Sequence, residues 1–104
     1  MNINFSFHNT DESCKAKAEN YLTEEKLGSL TRLLQHGNLD LADLEIRIEY
    51  FPHHNNFVVK MNLKIARHVL VSEQDSHDLL EALDLVLEKI VAQLRKIEAI
   101  RHHK

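Results

Sequence analysis

Residues 2–8 alternate, with Ile3, Phe5 and Phe7 on one side and Asn2, Asn4, Ser6 and His8 on the other. An apolar period of two marks a strand with one buried face. Asn9, Thr10 and Asp11 follow as helix-capping residue types, with Glu12 placed to complement the positive end of a helix dipole. From about residue 11 to 35 the period lengthens. Cys14, Ala18, Tyr21 and Leu22, then Leu27, Leu30, Leu33 and Leu34, make an apolar stripe at helical spacing. The polar run Thr23 to Lys26 and then Gly28 interrupt it, so this helix is expected to kink or split near 23–29. His36-Gly37-Asn38 supplies its stop.

Leu44, Ile46, Ile48 and Tyr50 alternate with Glu45, Arg47 and Glu49, the pattern of a second strand. The segment Pro52 to Asn56 is polar and turn-forming. Val59, Met61, Leu63 and Ile65 then alternate with Val58, Lys60, Asn62 and Lys64, a third strand antiparallel to the second. Ala66-Arg67-His68 is expected to turn the chain into a short fourth strand, Val69 to Ser72. Asp75, Ser76 or Asp78 caps a last helix running to about residue 100. Its apolar positions Leu79, Leu83, Val86, Ile90, Leu94 and Ile97 step by three and four, and Leu80, Leu87 and Val91 widen the face. The expected architecture is α+β in β-α-β-β-β-α order, with two helices on one face of a four-stranded sheet. The other sheet face, with Arg47, Lys60, Lys64 and several acids, is expected to be wet.

A chain of 104 residues with two glycines and one proline reads as one domain spanning 1–104, large enough for a real core. The single cysteine, Cys14, gives no internal disulfide, and the N-terminus has neither the basic leader nor the long apolar stretch of a signal peptide. No window suits a membrane helix, so the expectation is a cytoplasmic protein with no membrane partner. Lys and Arg total 13 against 16 Asp and Glu, a net charge of −3 with neutral histidines. A nucleic-acid binder usually carries a basic surplus, so binding to RNA would have to rest on how charge is distributed.

The chain shows no phosphate-cradling glycine loop and none of the Ser, Cys or His motifs of nucleophilic enzymes, so no enzyme activity is expected. Cys14 lies on an apolar stripe, as a small core residue does. His53-His54 and His102-His103 are adjacent pairs without a completing ligand set, which leaves no metal or cofactor expected. Nor does any pocket for a small-molecule substrate announce itself. The basic residues of the last helix are more informative. Lys89, Gln93 and Lys96 share one flank, Arg95 is adjacent, and Arg101 and Lys104 follow, while Asp78, Glu81, Asp84 and Glu88 fill the first half. Acids early and bases late also suit the helix dipole, so this pattern alone is compatible with simple helix stabilisation or with a phosphate-contacting flank.

The run from Asp78 through Ala82 and Asp84 to Glu88-Lys89-Ile90, Gln93-Leu94 and Lys96 resembles the final helix of the bacterial hibernation-promoting factor and ribosome-associated inhibitor family. The opening Ile3-to-His8 strand, the long first helix and the three-strand meander fall in the same order, so the resemblance spans nearly the whole chain and matches the short members of the family. It implies a fold related in shape to double-stranded RNA-binding domains. It also implies a translation-silencing factor that occupies the tRNA and mRNA channel of the small ribosomal subunit under stress, held by ribosomal RNA phosphates. Carried over by position, Lys89 and Lys96 match family basic positions and Lys26 matches one on the first helix, with Arg32 and Arg95 as neighbours. Lys15, Lys60, Lys64, Arg67 and Arg101 are weaker candidates, picked for charge. Ala92 stands where the family often has a basic residue, and Ala66-Arg67-His68 replaces a glycine-rich turn, marks of a divergent member with a thinner belt. The alternative is a protein-interaction module on the same fold that has lost ribosome binding.

Overall fold

The computed structural model describes residues 2–23, 25–34, 42–65 and 68–102, with side chains described as far as residue 97. Its element order is β1 (Asn2–His8), α1 (Glu12–Tyr21), α2 (Gly28–Leu33), β2 (Asp43–Phe51), β3 (Asn56–Ile65), β4 (His68–Ser76) and α3 (Leu79–His102). The sheet is mixed. Its spatial order is β1-β2-β3-β4, with β1 parallel to β2 and the remaining pairs antiparallel.

Alternation fixes the two faces. Ile3, Phe5 and Phe7 sit beside Leu44, Ile46 and Ile48, which in turn sit beside Leu63, Met61 and Val59. That face carries all three helices: α3 packs on β3 and β4, and α1 and α2 pack against α3. Leu44, Ile46, Ile48, Val59, Met61, Leu63, Leu83, Val86, Ile90 and Leu94 are fully buried between the layers. Filling that interior is the dominant favourable contribution to the fold. The opposite face shows Glu45, Arg47, Lys60, Lys64 and Glu73 to solvent, as its alternation implied.

The first helix, expected to kink or split near 23–29, is split into α1 and α2. Asp11 caps α1 by accepting from the Cys14 N–H at 2.8 Å, and α1 buries Cys14 and Ala18. Leu27, Leu30 and Leu34 resume the buried face in and around α2. At the break the Thr23 hydroxyl accepts from the Lys26 N–H at 3.4 Å, so the polar run that interrupts the stripe also satisfies part of the exposed backbone. The expected stop at His36 to Asn38 lies outside the described residues.

β4 departs further from expectation, since it runs to Ser76 rather than Ser72. Ser72, Gln74 and Ser76 continue the ladder opposite Met61, Val59 and Phe57, and the long third strand supplies partners that residues 73–76 lack on their own. Asp75 and Ser76 are therefore strand residues. Asp78 is the one of the three expected capping residues that acts at the start of α3, accepting from the Leu80 N–H at 3.0 Å. Ile65 pairs with His68, and of the expected turn Ala66-Arg67-His68 the first two residues lie outside the described residues.

Candidate nucleic-acid interface

A helix turns about 100° per residue, so Lys89 and Lys96, seven residues apart, lie within about 20° of each other on α3. Both are exposed. Gln93 lies between them and donates from Nε2 to the Val71 carbonyl at 2.9 Å. Val71 belongs to the edge strand β4, so this bond ties α3 to the rim of the sheet. The buried face of α3, with Leu83, Val86, Ile90 and Leu94, sets its rotation, and the Gln93 bond lies on the edge of that face. Lys89 and Lys96 stand on the β4 side, about 10.5 Å apart along the axis. No described carboxylate lies within ion-pair distance of either ammonium.

Arg95, one position from Lys96, points to the other flank. There it lines a groove of about 640 Å³ between the α1–α2 junction and α3, together with Tyr21, Lys26, Ser29, Asp84 and Glu88. The groove is organised by Asp84. The Tyr21 hydroxyl donates to Asp84 Oδ2 at 2.6 Å, and Lys26 Nζ stands 3.0 Å from Asp84 Oδ1. The same ammonium lies 4.8 Å from the centre of the Tyr21 ring, within cation–π range. Burial pushes the Asp84 carboxyl up, but the Tyr21 hydrogen bond and the bond and charge of Lys26 outweigh it and hold the group below its ordinary value. Bonding to Tyr21 and then to Asp84 raises Lys26 in turn. Lys26 is thus already neutralised by a carboxylate. Arg32 is exposed on α2, one turn beyond Ser29, and its Nε donates to the Gly28 carbonyl at 3.3 Å.

The remaining candidates fall elsewhere. Lys15 lies 3.5 Å from Glu12 and 5.9 Å from the Phe7 ring centre, at the α1 end of the domain. Lys60 and Lys64 are on the open sheet face, opposite Arg47 and Glu73, and Asp43 and Val69, respectively. Arg67 and the Arg101 side chain lie outside the described residues. The structure therefore brings Lys89 and Lys96 together and places Arg95 with Lys26. Among the described residues no continuous positive strip crosses the helices, because Asp84 and Glu88 stand in the groove. Asp84 and Tyr21 were legible only as a dipole-complementing acid and a stripe residue; they are 63 positions apart, and no local pattern announces their bond.

Cys14 is buried, and burial, then the charge of Asp11, push its thiol up, the opposite of what a reactive cysteine needs. Among the described residues, no group of three or more His, Cys, Asp or Glu is placed to hold a metal, and no helix is long and apolar enough to cross a membrane.

A four-stranded mixed sheet with helices on one face, and cations on the flanks of its last helix, defines a small α+β domain suited to surface binding. Residues 3–101 match the family model described as Sigma 54 modulation protein / S30EA ribosomal protein, and the chain belongs to that family. The family is named for a ribosomal protein and not for an enzyme. Two solved structures share the fold. A ribosomal subunit interface protein from Coxiella burnetii is 18% identical with a TM-score of 0.69, the match covering 95% of this chain and 99% of that one. The N-terminal domain of Thermus thermophilus Protein Y is 14% identical with a TM-score of 0.68, covering 93% and 99%. No curated protein matches the chain.

Proposed function

We propose that this chain is a ribosome-binding, translation-silencing factor that occupies the tRNA and mRNA channel of the small subunit in stressed cells. Membership of the S30EA family supports association with the ribosome, and the names of the two structural neighbours point the same way. The observation that carries the assignment of a contact surface is the α3 flank. Lys89 and Lys96 are exposed, and Gln93, bonded to the sheet edge, holds the helix that bears them. Ribosomal RNA is held by phosphates and shape, and two exposed lysines on one helix flank serve that without base readout. Arg95, Lys26 and Arg32 border the same helix on its other side and form a second, weaker contact region. The work needs no catalytic group, cofactor or small-molecule substrate, and it is done in the cytoplasm with no membrane.

Sedimentation of the purified protein with ribosomes and separated subunits at low and moderate salt tests this. Salt-sensitive co-migration with the small subunit, lost on Lys89→Glu/Lys96→Glu, is the expected result. Co-migration that survives the double reversal removes the flank from the contact surface. A second reading, a protein-interaction module, draws on Val69 and Val71, which are 61% and 45% exposed on the open sheet face. Failure to co-migrate even at low salt favours it.

A further inference from the structure

We propose that Asp84 sets the chain's selectivity among polyanions, by holding Lys26 as an internal ion pair and so withholding one cation from non-specific phosphate contact. The inference deepens the ribosomal RNA reading and rests on it. The geometry is specific to one acid. Asp84 presents one oxygen to the Tyr21 hydroxyl at 2.6 Å and the other to Lys26 Nζ at 3.0 Å, so both are committed. The Tyr21 ring lies 4.8 Å from the same ammonium, a cation–π contact that adds to the hold on Lys26. Glu88 lines the same groove one turn further along α3 and makes no ion pair among the described residues. Among Lys26, Arg32, Lys89, Arg95 and Lys96, Lys26 alone is paired with a described carboxylate; Lys15, a weaker candidate, is paired with Glu12 of its own helix.

Non-specific binding of nucleic acid is almost wholly a matter of how many phosphates are neutralised, and each neutralised phosphate adds counterion release. A lysine already paired adds little to that sum. It still leaves shape and the exposed lysines of α3 to act on a partner that fits. An acidic domain that must find one RNA surface among many gains specificity by lowering its affinity for the rest, since the ratio of the two decides occupancy.

The test measures binding of the full chain to isolated small subunits and to a non-ribosomal RNA duplex, across about 50 to 200 mM salt. Asp84→Asn keeps a carbonyl oxygen for the Tyr21 hydroxyl and removes the charge that holds Lys26. It is expected to tighten duplex binding several-fold at the low end and to steepen the log–log salt slope by about 0.7–0.9, one phosphate contact. Glu88→Gln removes a groove acid with no hold on Lys26 and is expected to change the slope by much less. An unchanged slope in Asp84→Asn, an equal effect from Glu88→Gln, or no duplex binding by Asp84→Asn at any salt overturns the proposal. Should Asp84→Asn fail to fold, the wild-type chain decides by NMR of the lysine ammonium groups on duplex addition. Lys89 and Lys96 signals are expected to shift while Lys26 stays in place, and a Lys26 shift of similar size overturns it. Absence of wild-type binding to the small subunit speaks against the ribosomal reading alone, because the duplex arm is read separately.

Discussion

Replacing Lys89 and Lys96 by glutamine removes two charges from α3 while keeping two polar side chains of similar length. The two sites are about 10.5 Å apart along the helix axis, comparable to the Debye length of about 10 Å at 0.1 M salt. They should therefore contact different phosphates and act nearly independently. Each contact contributes about 0.7–0.9 to the slope of log affinity against log salt, so the double variant should lose about 1.4–1.8. Over a fourfold change in salt that difference amounts to about sevenfold to twelvefold, by the same relation. The deficit of Lys89→Gln/Lys96→Gln relative to wild type should accordingly be about tenfold larger at 50 mM than at 200 mM salt. Fluorescence anisotropy of labelled protein titrated with small subunits reads this directly. Lys60→Gln/Lys64→Gln, an equal loss of charge on the opposite face of the sheet, is the control and should leave the slope nearly unchanged. An equal loss of slope in both pairs would refute the argument, because binding would then follow total charge rather than the α3 flank.

The Asp84 pair sets a pH dependence. Its carboxyl is held below the ordinary 3.8, so its contribution to stability is present above that value and lost as pH falls through the depressed one. Lys26 is raised above 10.5, so its part is present below that pH and lost as pH rises through the higher value. The melting temperature of Asp84→Asn should lie below wild type by a steady margin between these limits and converge with it in acid, as calorimetry over pH would show. Gln93→Ala opens the Val71 carbonyl at the sheet edge and should cost about 0.5–1.5 kcal/mol in urea unfolding, with faster amide exchange along β4. Ser72 is 5% exposed and its hydroxyl has no partner among the described residues, so Ser72→Ala should stabilise the chain by about 1 kcal/mol, read as a raised urea midpoint.

How far the fold could be read from residues depended on where burial and polarity agree. β1, β2 and β3 were legible because Phe5, Ile46 and Met61 are apolar on the helix side while Ser6, Arg47 and Lys60 are polar on the other. The end of β4 was not, because its pattern is inverted. Val69 and Val71 face solvent, whereas Ser72, Gln74 and Ser76 face the helices, so Glu73 to Ser76 resembles a helix cap until β3 is placed beside it. The break between α1 and α2 was visible in Thr23 to Gly28 for a local reason: those residues interrupt a stripe. Of the candidate interface, the shared flank of Lys89, Gln93 and Lys96 follows from helical spacing alone. The division of the cations does not, since it depends on Asp84 meeting Tyr21 and Lys26 across two helices.

If the proposed function holds, that division bears on how a chain of net charge −3 would hold a polyanion. On α3 the acids Glu81, Asp84 and Glu88 and the bases Lys89 and Lys96 occupy different sectors, so a phosphate at the β4 side meets lysines first. At physiological salt the Debye length is about 8 Å, less than the helix diameter of about 10 Å, so acids across the helix are partly screened from that phosphate. The local flank then governs contact while the total charge governs approach. An acidic total removes long-range attraction to RNA in general, which lowers encounter rates but also lowers occupancy of wrong sites. On the proposed reading, affinity comes instead from a few cations on one helix flank and from shape. On that reading too, the buried face of α3 sets the helix rotation that decides which phosphate each lysine would reach, and the Gln93 bond to the sheet edge adds to it.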